Sequence, residues 1–190
     1  MADNISGAEK SVAIPEDVLA FWRAAGPEKW FKKDTTLDAE IKTRFLATYE
    51  AAAEGKLADW EATANGALAF TILLDQFPRN MFRDRPRAFA TDPLARAVVE
   101  RAIARGFDKQ VDKDLRGFFY VPFMHAEALA DQERAIALYR ADGNADGVKW
   151  AELHADIIRR FGRFPHRNKA LGRHTTPEEQ AFLDGGGFAG

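Results

Sequence analysis

The chain has no cysteine and only two serines, Ser6 and Ser11. The first absence excludes disulfides, thiolate nucleophiles, and zinc or iron–sulfur sites built on Cys ligands. The second, with no G-x-S-x-G elbow anywhere, argues against a serine hydrolase. Neither a P-loop nor a dinucleotide-binding G-x-G-x-x-G occurs. No apolar run approaches the ~20 residues of a membrane-spanning helix. Met1 to Lys10 lacks the basic and apolar regions of an export signal. A cytoplasmic protein with no membrane partner is therefore expected. Excess positive charge is missing too: 27 Lys plus Arg face 29 Asp plus Glu, a net charge of −2. That is not the field of a nucleic-acid binder, so no nucleic-acid partner is expected.

What is present is helix punctuation. Ile14-Pro15-Glu16-Asp17 opens a helix with Pro in the first turn and acids at the positive end of the dipole. Ile41, Phe45, Leu46 and Tyr49 give helical spacing to a segment from about Leu37 to Glu54. Ala67 to Gln76 is apolar nearly all round and reads as a buried helix broken near Phe77-Pro78. Asp92-Pro93 opens a helix that Gly106 ends. Asp-rich capping residues before Leu115–Met124 favour helix over strand there, with Pro122 kinking it or starting a new helix that carries His125, Glu127, Leu129 and Ile136. Val148 to Phe161 is an amphipathic helix stopped by Gly162, and Thr176-Pro177-Glu178-Glu179 is a capping box. Nothing alternates with period two. The expectation is an all-α domain of seven to ten helices in antiparallel pairs over residues 14–184. A flexible segment, 1–13, precedes it, and a frayed Gly-rich tail, 185–190, follows it.

Charge is segregated along the chain. No acid falls between Asp156 and Glu178, while Arg159, Arg160, Arg163, Arg167, Lys169 and Arg173 do, with His166 and His174 among them. Arg79, Arg83, Arg85 and Arg87 form a second basic run. Arg outnumbers Lys 17 to 10, and its planar fork suits carboxylate or phosphate. Two Pro turns present such groups together: Asp75-Gln76-Phe77-Pro78-Arg79-Asn80 and Arg163-Phe164-Pro165-His166-Arg167-Asn168. Solvated faces or ion pairs between helices are the plainer reading of both. His154 lies on or beside an apolar helix face, where a hydrogen-bonded core histidine is the ordinary case. His174 reads as exposed. No His/carboxylate spacing points to a metal, and no cofactor is expected.

Leu74–Asn80, Phe118–Glu127 and Arg160–Asn168, with Leu171-Gly172-Arg173 and Thr176–Glu179, resemble the bacterial "domain of unknown function 924" family over roughly Pro15 to Leu183. Members often carry Ser where this chain has Ala126 and His174. The resemblance implies a compact superhelical array like that of tetratricopeptide-repeat proteins, and no activity. Two functional readings remain. One is a binding protein whose pocket takes a small anion or a peptide carboxylate on Arg79, Arg163 and Arg167. In it Asp75, Asn80 and Asn168 orient these groups, His154 and His166 join the lining, and Phe77, Phe119 and Phe164 form the walls. The alternative is an enzyme with His125 or His166 as general acid/base, Glu127 as its orienter and Arg163 stabilising negative charge.

Overall fold

The computed structural model describes residues 12–188, and all its regular structure is helical. Ten α-helices follow in order among these residues: α1 (Pro15–Ala25), α2 (Pro27–Trp30), α3 (Thr35–Ala53), α4 (Ala64–Met81), α5 (Asp92–Ala104), α6 (Lys113–Arg116), α7 (Val121–Met124), α8 (Leu129–Ala141), α9 (Ala145–Phe161) and α10 (Pro177–Asp184). Short 3₁₀ turns fill several connections. Residues 1–11 of the expected N-terminal segment and residues 189–190 of the tail lie outside the described residues.

Side-chain caps start the longer helices. Asp34 accepts from the Thr36 and Leu37 N–H groups at 3.0 Å, and Thr63 accepts from Gly66 N–H at 3.0 Å. Asn144 accepts from Gly147 N–H at 2.8 Å. Each satisfies donors that a helix start otherwise leaves free. The capping box at Thr176 closes as its spacing predicts: Glu179 N–H donates to Thr176 Oγ1, and Thr176 N–H donates to Glu179 Oε2 at 2.8 Å.

Helix α4 is the axle. Nearly all its residues are buried, and it packs against α1, α3 and α5. Phe77 lies among Phe21, Trp22 and Phe45, with ring centroids 4.9–6.1 Å apart, in the core and not along a ligand wall. Helices α8 and α9 form a second packed pair. A smaller cluster of Ile157, Ile158 and Phe164, joined by Phe161, Phe182 and Phe188, lies beneath the C-terminal turns.

Two expectations about helix ends fail for physical reasons. Helix α4 does not break at Phe77-Pro78 but runs on to Met81. Pro78 has no N–H for the Leu74 carbonyl, four residues back. Thr91 Oγ1 donates to that carbonyl instead, at 2.6 Å, so the proline leaves no buried acceptor unpaired. Pro122 starts only the single turn α7, and the chain leaves the helix before α8 begins at Leu129. His125 and Glu127 thus stand in a connection, not on a helix, because Gln132 Nε2 donates to the Met124 and Ala126 carbonyls at 2.8 and 2.6 Å and holds the backbone open there.

Candidate functional site

The charge runs of the sequence are largely neutralised in space. Arg83 grips Asp38 through two nitrogens at 2.5 and 2.8 Å, and Arg87 reaches Glu50 at 2.7 Å. Arg173 grips Glu127 at 2.7 and 3.0 Å. Arg163 fills its fork with Glu179 at 2.6 and 2.9 Å and adds the His174 carbonyl. Asn168 also donates to Glu179, and it accepts from Arg173. Asn80 donates to Asp38 at 2.8 Å. These residues build a lattice between helices, as solvated or paired runs usually do. The Arg163 ion pair and Asn168 bonds to Glu179 hold that carboxyl down at about 2, against burial that would raise it.

The two Pro turns nevertheless meet, at Asp92. Arg79, on the last turn of α4, donates through Nη1 and Nη2 to the two oxygens of Asp92, both at 2.9 Å. Arg167, from the turn after α9, approaches Asp92 Oδ2 at 3.6 Å. The Arg79 Nη1 also donates to the Asp75 carbonyl at 2.6 Å. Asp92 sits at the start of α5, where its sequence reads as a helix opening, and it takes both roles.

Asp75, one turn before Arg79, accepts from His125 Nδ1 at 2.9 and 3.0 Å and from Gln76 Nε2 at 2.6 Å. Burial by itself would raise the Asp75 carboxyl, but His125, Arg79 and these hydrogen bonds outweigh it and hold the group ionised below the usual carboxylate range. Burial and the neighbouring Arg79 lower His125, although Asp75 opposes them. Ionised Asp75 can only accept, so His125 faces it as the donor through Nδ1, and Nε2 is the ring nitrogen left outside the pair. Glu127, expected to orient this histidine, does not touch it: its carboxylate accepts from Arg173 and from Phe164 N–H at 2.8 Å. The orienting carboxylate is Asp75.

Beside this pair lies an unbalanced guanidinium. The Arg167 side chain is only 7% exposed, and its Nε is buried without a hydrogen-bond partner. Its faces lie against Phe89 and Phe164, 4.7 and 4.5 Å from the ring centroids. Burial first, and Arg79 second, pull Arg167 down to about 10. Next in the chain, His166 has a buried Nδ1 with no partner. Burial and Arg167 hold it at about 3. His154 gives Nδ1 to the Trp150 carbonyl at 2.8 Å, and burial holds it at about 4. Both rings pack on Phe164, with centroids 5.6 and 5.5 Å away, and both touch Phe188, at 4.5 and 5.2 Å.

So the structure gathers Asp75, Arg79, His125, His154, His166 and Arg167, with Phe164 as a wall, and directs Asn80, Glu127, Arg163 and Asn168 elsewhere. Sequence reasoning did not pair Asp75 with His125, and it missed Asp92, Phe89 and Phe188. Two open surface clefts of about 520 Å³ lie apart from the cluster, one lined by Arg140 and Glu152, the other by Arg163 and Glu178. No group of three or more His, Cys, Asp or Glu side chains that could hold a metal ion occurs among the described residues.

An all-helical chain with a buried Arg–His cluster at the meeting of two Pro turns defines the class. Its residues 18–187 match the family described as bacterial protein of unknown function (DUF924), and the chain belongs to that family. It is similar to a solved structure of a protein of unknown function from Agrobacterium tumefaciens, at 48% sequence identity and a TM-score of 0.87, covering 90% of this chain and 97% of the other. No curated protein matches it.

Proposed function

We propose that the protein binds a small anion, a carboxylate or phosphate, at Arg167 and His166. The carrying observation is that two buried nitrogens, Arg167 Nε and His166 Nδ1, lack partners in one cluster; the first is a donor, and the second is one in the tautomer that carries its proton there. A buried polar group without a partner costs about 1–3 kcal/mol, more when charged, and an anion accepting from both relieves it. The four ions Asp75, Arg79, Asp92 and Arg167 sum to zero but are unevenly placed. Asp75 and Asp92 both touch Arg79, whereas Arg167 has one approach at 3.6 Å. That imbalance favours Arg167 over Arg163, whose fork Glu179 already fills.

Calorimetric titration of the full chain with inorganic phosphate and with acetate tests this. Saturable binding by at least one anion, lost in Arg167→Met and weakened by added salt, is the expected result. Binding unchanged in Arg167→Met, or none by either anion, overturns it.

A second reading is carried by the Asp75–His125 hydrogen bond. An imidazole with its Nδ1–H fixed on a carboxylate and its Nε2 lone pair unengaged by described residues has the form of a general base. In that reading Asp75 positions His125, and Arg79 and Arg167 stabilise negative charge developing on a substrate. Nitrogen chemical shifts of His125 across a pH titration test its first requirement. The Nδ1–H tautomer with a pKa below 6.5 is expected. The opposite tautomer rejects it.

A further inference from the structure

The inner cluster is electrically balanced before any ligand enters it. Two carboxylates, Asp75 and Asp92, face two guanidinium groups, Arg79 and Arg167, through contacts of 2.9 to 3.6 Å. An anion added to that set brings an uncompensated charge into a buried place, which burial disfavours. One group there can supply the missing positive charge. His125 has its Nδ1 on Asp75, and His154 has its Nδ1 on the Trp150 carbonyl. His166, by contrast, has a buried Nδ1 without a partner. It directly precedes Arg167 in the chain, and both stand on Phe164. The His166 ring centroid lies 5.5 Å, and the Arg167 guanidinium carbon 4.5 Å, from the centre of that ring. His166 is also partly exposed, which gives bulk water access to it, whereas His154 and Arg167 are buried.

We propose that the anion at Arg167 enters together with one proton, taken from the solvent and held on His166, so that binding strengthens as the pH falls. The ligand class that suits this exchange is a singly charged carboxylate, because ion and proton together add no net charge. This rests on the anion-binding reading and adds to it the charge of the ligand and the control of its affinity. A neutral imidazole donates through Nδ1 in one tautomer only, whereas the imidazolium donates through both nitrogens. Protonation therefore makes Nδ1 a donor in every case. The groups that act most strongly on His166 are Arg167 in its own turn, His154 on α9, His125 after α7 and Arg79 on α4. None of these is an acid, and with burial they hold the ring at about 3. The nearby carboxylates are engaged elsewhere: Asp92 on α5 and Asp75 on α4 by Arg79, and Glu127 by Arg173. A carboxylate seated against Arg167 reverses the local sign, since an opposite charge within ~4–6 Å favours the protonated ring. Proton and anion are then linked ligands, each raising the affinity for the other.

The test is calorimetric titration of the full chain with formate, which stays ionised from pH 5.5 to 8, in two buffers of different ionisation enthalpy. Affinity should rise about tenfold per pH unit from pH 7 down to 5.5. The difference between buffers should show one proton taken up per formate bound. On saturation the His166 ring nitrogens should move to the shifts of the doubly protonated ring, a readout that needs no variant. His166→Asn should bind formate weakly and without pH dependence. Binding of formate that is independent of pH and takes up no proton overturns this inference. Where Arg167→Met abolishes that binding, the anion site is left standing. Proton uptake with the His166 nitrogens unchanged overturns the inference equally, since the proton then sits on another group. Failure of formate, acetate and phosphate to bind at any of these pH values overturns the anion site as well.

Discussion

Asp92 serves two guanidinium groups from segments far apart in sequence, the end of α4 and the turn after α9. Arg79 takes both of its oxygens, so removing Asp92 would leave Arg79 and Arg167 facing each other in a buried space. Breaking such a buried pair costs about 3–5 kcal/mol, and Asp92→Asn should lower the urea midpoint accordingly. Glu179 is the comparable anchor of the outer lattice, with Arg163, Asn168 and the Thr176 N–H on one carboxylate. Glu179→Gln should cost less, about 2 kcal/mol, because Arg163 keeps contact with water. Equal midpoints for the two variants would show that the inner ions are no more enclosed than the outer ones. At Asp75 the expectation concerns its partner: Asp75→Asn removes the charge that raises His125, so the His125 pKa should fall further, readable by NMR.

Among the elements, α4 carries the clearest lesson about what is legible in a sequence. Its apolar interior from Ala67 to Gln76 reads directly as a buried helix, and the capped start at Thr176 and the stop at Gly162 read directly from their residue types. Its continuation through Pro78 is not legible, because the group that makes it possible is Thr91, in a connection thirteen residues further on. Thr91→Val should leave the Leu74 carbonyl unpaired and cost about 1–2 kcal/mol, seen as a lower melting temperature, while Pro78→Ala should change stability by less. The reverse order would place the support of this helix elsewhere. Pairing of Asp75 with His125 is hidden for the same reason. Fifty residues separate them, and no local spacing encodes a contact made by packing α7 against the centre of the bundle. The nearer carboxylate in sequence, Glu127, is drawn instead to Arg173.

For the whole molecule, a net charge of −2 conceals an interior that excludes protons. His154 and His166 stand at about 4 and about 3 in the folded chain against 6.5 when free. A base lowered on folding binds more protons when unfolded. Stability should therefore be complete above pH 6.5 and fall as the pH drops toward 4, by up to ~1.4 kcal/mol per pH unit for each histidine. Glu179, lowered to about 2 from 4.5, adds its loss below pH 4.5. Urea midpoints measured from pH 8 to pH 4 in the unmodified protein and in His154→Gln check this. The variant should show the shallower fall, and parallel curves would reject the buried neutral state of His154.

All of these expectations surround one claim, that Arg167 and His166 hold their unpartnered donors for an anion. The most direct measurement is the nitrogen spectrum of those two side chains, recorded while phosphate or acetate is added to the full chain. Saturating shifts at Arg167 Nε and His166 Nδ1, absent at Arg163 with its Glu179 partner, are the predicted result. Saturation that moves Arg163 and leaves Arg167 and His166 unchanged would contradict the account.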